Sequence, residues 1–261
     1  MYFIFLLVSF FASAMGGICG IGGGVIIKPV LDTIGVMSVS SISFLSGCTV
    51  LSMSTISVIK SLKIDKSVVN LKTATALAIG AAIGGILGKQ AFHCIYVIFP
   101  KEKTVGAIQA IVLIIITTGT LLYTLYSNKI KTYVISNQTV CVLIGLFLGV
   151  LSSFLGIGGG PINLIVLTYF FSMDLKCAAV NSLYIIMFSQ FTSLFNSIIS
   201  GVIPEFNTLA LILMVIGGMS GGMVGSKVNK TISVKGVNKL FIALMVVIIF
   251  INIYNAVKFS I

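Results

Sequence analysis

Two short stretches hold the residues best suited to binding an ion. Residues 20–24 read Gly-Ile-Gly-Gly-Gly, and residues 156–160 read the same, 136 positions later. In each, a long apolar run pauses before a shorter one. Glycine costs roughly 0.8–1 kcal/mol per residue in a helix interior relative to alanine, so four glycines in five residues predict that a helix stops there. Without a Cβ, such residues can take positive φ and let another group approach the backbone closely. A helix restarting after each break would present unpaired N–H groups and about half a positive charge. That is an oxyanion site needing no side-chain cation. Gly22, Gly23, Gly24, Gly158, Gly159 and Gly160 are therefore the first candidate substrate-binding residues, and Pro161 suits the first position of the second restarted helix. The competing reading, that both breaks only let helices cross tightly, stays open.

The basic set sharpens this. All 16 basic residues are lysine, with no arginine, so bidentate guanidinium clamping of an oxyanion is unavailable. Lys28 and Asp32 lie four apart on one face of the first short segment. They are either an ionisable pair at membrane depth, hence functional, or a lysine that snorkels to the surface with its partner. Asn163, Asn181, Thr192 and Asn196 interrupt apolar runs. Asn181, Ser189, Thr192 and Asn196 share one helix face at about 100° per residue, lining a hydrated path or joining two helices. Ser46 aligns with Ser182 across the 136-residue offset, and Leu45 with Asn181. His93 reads as an interfacial residue at a helix end.

The elements that must position these residues are membrane helices. The chain has 261 residues, 58% hydrophobic and 8% charged, with a mean hydropathy of +1.20. Soluble domains carry about a quarter charged residues, so this is an all-α integral membrane protein. Long apolar segments are expected at 1–18, 38–59, 73–92, 104–127, 137–155, 177–200, 207–226 and 234–256. The segments 25–35 and 161–171 are too short to cross a hydrocarbon core of about 30 Å. The start of the chain lacks a basic region before its apolar run, so it reads as a first membrane helix and not as a cleaved signal. The formal charge of +11 is dispersed over loops, which fits membrane orientation better than nucleic acid. Five separated cysteines without a CxxC signal neither a disulfide framework nor a metal site, and no cofactor is implied. One histidine and five acids supply too little for a membrane enzyme.

The pattern restarts after Lys131, predicting homologous repeats at 1–131 and 132–261 in one membrane domain. Gly80, Gly84 and Gly88 are matched by Gly217, Gly221 and Gly225 at an offset of 137, stripes that read as close helix packing. If every long helix crosses in turn, loops and tails carry 7 and 9 lysines on the two sides. If each glycine break instead makes a hairpin, the split becomes 5 and 11, which obeys the positive-inside rule better. The hairpin option makes the repeats inverted, with both ends outside.

The doubled Gly-Ile-Gly-Gly-Gly, with Pro29 and Leu31 after the first copy and Ala179-Val180-Asn181-Ser182-Leu183 after the second, resembles the TauE/SafE sulfite-exporter family. The likeness spans essentially the whole chain. It departs at Pro161, directly after the second glycines, and at Ile165, where the first half has Pro29. Leu164 and Thr168 likewise stand opposite Lys28 and Asp32. The resemblance implies a permease for a small sulfur oxyanion or organosulfonate in a lipid bilayer. An anion channel or a non-transporting membrane subunit stays as the alternative, a membrane enzyme less so, and the permease could assemble with further copies of itself.

Overall fold

The computed structural model describes residues 2–64, 69–99 and 101–260, which form helices and connecting turns with no strand. The helices are α1 (Tyr2–Cys19), α2 (Gly24–Ile34), α3 (Val39–Ile64), α4 (Leu71–Ile98), α5 (Glu102–Tyr126), α6 (Gln138–Leu155), α7 (Gly160–Phe171), α8 (Leu175–Ile199), α9 (Thr208–Thr231) and α10 (Val234–Ser260). Eight of them, all but α2 and α7, are long and apolar enough to cross a membrane. At 1.5 Å per residue, the 11 residues of α2 and 12 of α7 rise only about 17–18 Å.

Several helices outrun the apolar segments that announce them. α3 continues through Lys60 and Lys63, and α4 through His93 to Ile98. Hydropathy marks where hydrocarbon ends, whereas helical hydrogen bonding continues into the headgroup zone, where lysine stems snorkel.

The polarity of the molecule is that of a protein dissolved in lipid. Ser43, Ser46, Thr49, Ser54 and Ser57 of α3 are buried, while Ile79, Ile83, Leu87, Ile115, Phe147 and Phe250 are exposed. Many buried hydroxyls are satisfied locally, as when Thr49 Oγ1 donates to the Leu45 carbonyl at 2.8 Å.

Glycine stripes set the two closest packings, α4 on α6 and α1 on α9. A Cβ on Gly84 would meet the Val150 nitrogen at 2.9 Å, and one on Gly149 would meet the Ala81 Cα at 2.7 Å. On the other side, a Cβ on Gly217 would meet the Leu6 carbonyl oxygen at 2.7 Å, and one on Gly225 the Gly17 Cα at 3.0 Å. The stripes therefore hold backbones together.

Several polar contacts gather at one end of the bundle. Asn207 Nδ2 donates to the Tyr2 hydroxyl (3.2 Å), and Ser41 Oγ to the Glu205 carbonyl (2.5 Å). Lys258 Nζ caps the end of α2 through the carbonyls of Asp32 and Thr33 (3.1 and 2.9 Å). Phe5 and Ala12 of α1 share a buried cluster with Ile27 and Leu31 of α2. The start of α1, the end of α2 and the end of α10 therefore lie at the same end of the bundle. At the opposite end, Ser172 Oγ, just past α7, donates to the Thr132 hydroxyl (2.7 Å) and the Tyr133 carbonyl (2.9 Å). Nearby, the Asp174 side chain caps α8 by accepting from the Lys176 and Cys177 N–H groups.

Candidate anion site

The two glycine stretches meet. A Cβ on Gly24 would lie 2.5 Å from the Ile157 carbonyl oxygen, and one on Gly160 would strike Val25 and stand 3.6 Å from the Ile21 carbonyl oxygen. Val50 of α3 and Ile186 of α8 close over both Gly22 and Gly158. The starts of α2 and α7 are thus brought together, with α3 and α8 on either side.

Positive φ explains only part of the glycine requirement. Gly20, Gly22, Gly156, Gly158, Gly159 and Gly160 have φ between +41° and +89°, the region that disfavours any side chain with a Cβ. Gly23 differs. It caps α2 with φ −66°, an ordinary value, yet a Cβ there would meet the Ser13 hydroxyl oxygen at 2.7 Å and its Cα at 3.1 Å. Proximity of α1 is what demands glycine at 23. At Gly159, with φ +89°, a Cβ would instead stand 2.8 Å from the Asn163 Nδ2.

Helix ends buried at this depth need partners for their last carbonyls, and side-chain amides supply them. Asn229 Nδ2 of α9 donates to the Ile18 carbonyl at the end of α1 (2.5 Å), and Gln109 Nε2 of α5 donates to the Phe154 carbonyl at the end of α6 (2.7 Å). Ile18 and Phe154 are 136 residues apart. Both amides escaped the sequence reading, because an amide inside an apolar run does not reveal whose carbonyl it reaches.

Around the glycines lies a set of buried hydroxyls. Ser13 abuts Gly23, and Ser43 abuts Gly156, whose Cβ would meet the Ser43 Cβ at 2.9 Å. Ser46 and Ser182 are fully buried. They lie four residues before Val50 and Ile186, on the faces of α3 and α8 turned to the glycines. The side-chain oxygens of Ser13, Ser43, Ser46 and Ser182, with Asn163 Oδ1, have no hydrogen-bond partner among the described residues. Buried polar groups are normally paired, so this cluster is unusual, and each hydroxyl can donate to an anion.

Other candidates sit elsewhere. Lys28 is buried and pairs with Asp32 at 2.7 Å, one turn into α2, rather than at the surface. Asn181 Oδ1 accepts from the Asn70 N–H (3.1 Å) and its Nδ2 donates to the Cys177 carbonyl (2.8 Å), tying α8 to the start of α4. Thr192 Oγ1 donates to the Ala82 carbonyl (2.8 Å), so the polar face of α8 serves in part to join α4. Asn196 and exposed His93 line a separate cavity. All five cysteines are free, and Cys94 is exposed.

Comparison with curated proteins and with solved structures finds no match. The sulfite exporter TauE/SafE family, in contrast, matches residues 5–251, nearly the whole chain. With its eight membrane-length apolar helices, this multi-pass membrane protein belongs to the TauE/SafE family of sulfite exporters.

Proposed function

We propose that this chain is a permease for a small sulfur-containing anion, sulfite or a related oxyanion or organosulfonate, bound where the starts of α2 and α7 meet. The observation that carries this is the convergence of two helix N-termini within a collar of buried, unpartnered hydroxyls at Ser13, Ser43, Ser46 and Ser182. N-terminal N–H groups favour negative charge, and hydroxyl donors complete an oxyanion shell without arginine. Gly22–Gly24 and Gly158–Gly160 let the two helix starts and their neighbours approach one another closely, and Asn163 adds an amide. Lys28, neutralised by Asp32, contributes field more than contact. Asn181 orders α8 beside the crossing.

In this reading each half, 1–131 and 132–261, is one inverted repeat, and each glycine stretch breaks a helix into a hairpin. Contacts recur in matched pairs: α1 on α9 with α6 on α4, and α2 on α10 with α7 on α5. Midplane sites at broken helices of inverted repeats suit alternating access, with one hairpin-bearing unit rocking against the other. The test is uptake of labelled sulfite, thiosulfate and methanesulfonate into liposomes containing the purified protein. Saturable uptake of at least one is expected, and no uptake of any would overturn the assignment.

A further inference from the structure

We infer that a second oxyanion-binding site, separate from the glycine crossing, lies around Lys89 in the cavity between α3, α4 and α8. The proposal rests on the anion-permease reading but concerns residues outside the crossing. Gly85 of α4 packs on α8, where a Cβ would meet the Ser189 carbonyl oxygen at 2.6 Å and Thr192 Oγ1 at 2.8 Å. Lys89, one turn further on the same face, is thereby directed to the next turn of α8, at Asn196. There it lines a cavity of about 560 Å³ together with Ser40, His93, Asn196, Ser197 and Ser200.

The charge of Lys89 is not neutralised by any ion pair among the described residues; the ion pair found there joins Lys28 to Asp32. Its ammonium lies 5.2 Å from the centre of the Phe92 ring, which offsets only part of the cost of a cation at that depth. Glu102, on the α5 edge, accepts from the Ser40 and Tyr96 hydroxyls at 3.3 and 3.5 Å and does not reach Lys89. The Ser40 and Ser197 hydroxyls already donate to Glu102 and to the Ser193 carbonyl, which leaves the Lys89 ammonium, the Asn196 amide and the Ser200 hydroxyl as donors to a small oxyanion. The place also fits. Ser40 of the cavity lies one turn along α3 from Ser43, which packs on Gly156, so the cavity sits beside the crossing toward the end of the bundle that holds Tyr2 and Lys258.

Cys94, exposed and lining the same cavity, provides a native reporter. The probe is methanesulfonate, which does not consume a thiol reagent, with sodium chloride at equal ionic strength as control. At about ten times its dissociation constant, it should slow maleimide labelling of Cys94 in the wild-type protein about tenfold. Protection should disappear in Lys89→Met and persist in Gly159→Val. Mass spectrometry should also show slower acylation of wild-type Lys89, with the other lysines as internal standards, so that a poorly folding variant does not decide the matter. No protection of Cys94, protection that survives Lys89→Met, protection lost in Gly159→Val, or unslowed acylation of Lys89 would each overturn the second site. The glycine crossing stands or falls separately, on whether Gly159→Val still transports.

Discussion

At the residue scale, two glycines three positions from the start of their motifs carry different burdens. Gly159 holds a left-handed conformation, and Gly23 makes room for Ser13. Gly159→Val and Gly23→Val should each abolish transport in protein that still inserts and elutes as a single species. Because Gly23 has an ordinary φ, Gly23→Ala tests proximity alone: its Cβ would sit 2.7 Å from the Ser13 oxygen. Gly23→Ala should lower liposome uptake through this crowding of α1, and Gly159→Ala through strain at its positive φ; normal uptake by either would remove the stated reason for that glycine. The amides make a different prediction. Asn229→Leu and Gln109→Leu leave the Ile18 and Phe154 carbonyls buried without a donor, at a cost of about 1–3 kcal/mol each. Their thermal unfolding midpoints in detergent should fall, and an unchanged midpoint would refute the capping role.

At the element scale, the stripes on α4 and α9 hold helices, and mutations there should read out as folding. Gly84→Val and Gly221→Val would push α4 from α6 and α9 from α1, lowering the yield of monodisperse protein. Whatever protein folds should retain substrate affinity by calorimetry. Loss of affinity at normal yield would place the stripes in the site. The same scale shows why α8 was hard to read. Its polar face was equally compatible with a path and with glue, and contacts with Ala82 and Asn70 on the α4 side show that part of it is glue.

At the scale of the whole molecule, the proposed hairpins place Lys28, Lys89, Lys101, Lys103 and Lys258 toward one side and the other ten lysines of the described residues toward the opposite side. The positive-inside rule then puts Tyr2 and Lys258 outside. A cysteine introduced near Ser260 should react with a membrane-impermeant thiol reagent on intact cells; reaction only after lysis would sink the inverted arrangement. Driving force is the second question at this scale. Among the described residues, Glu102, Asp174 and Glu205 lie at helix ends or in a connecting turn and Asp32 is paired with Lys28, so these acids form no chain for proton relay. An inside-negative potential favours anion exit by about 2.3 kcal/mol per charge per 100 mV. Transport in liposomes should follow an imposed potential, and transport that followed only a pH gradient would contradict this.

The sequence by itself determined the membrane class, the positions of the long helices and the two glycine interruptions. Each of these follows from local physics: apolar length against bilayer thickness, and the cost of glycine inside a helix. It also made the stripes legible as packing, because a four-residue spacing keeps small residues on one face. What surrounds the crossing was decided only by tertiary structure. Ser13 of α1 meets Gly23, Ser43 of α3 meets Gly156 at the end of α6, and Asn229 reaches Ile18 across 211 positions. No local pattern encodes which carbonyl an amide will meet, or that Lys89 will line a cavity without a carboxylate partner. Those outcomes depend on which helices cross, and at what depth, once the glycine faces let their backbones touch.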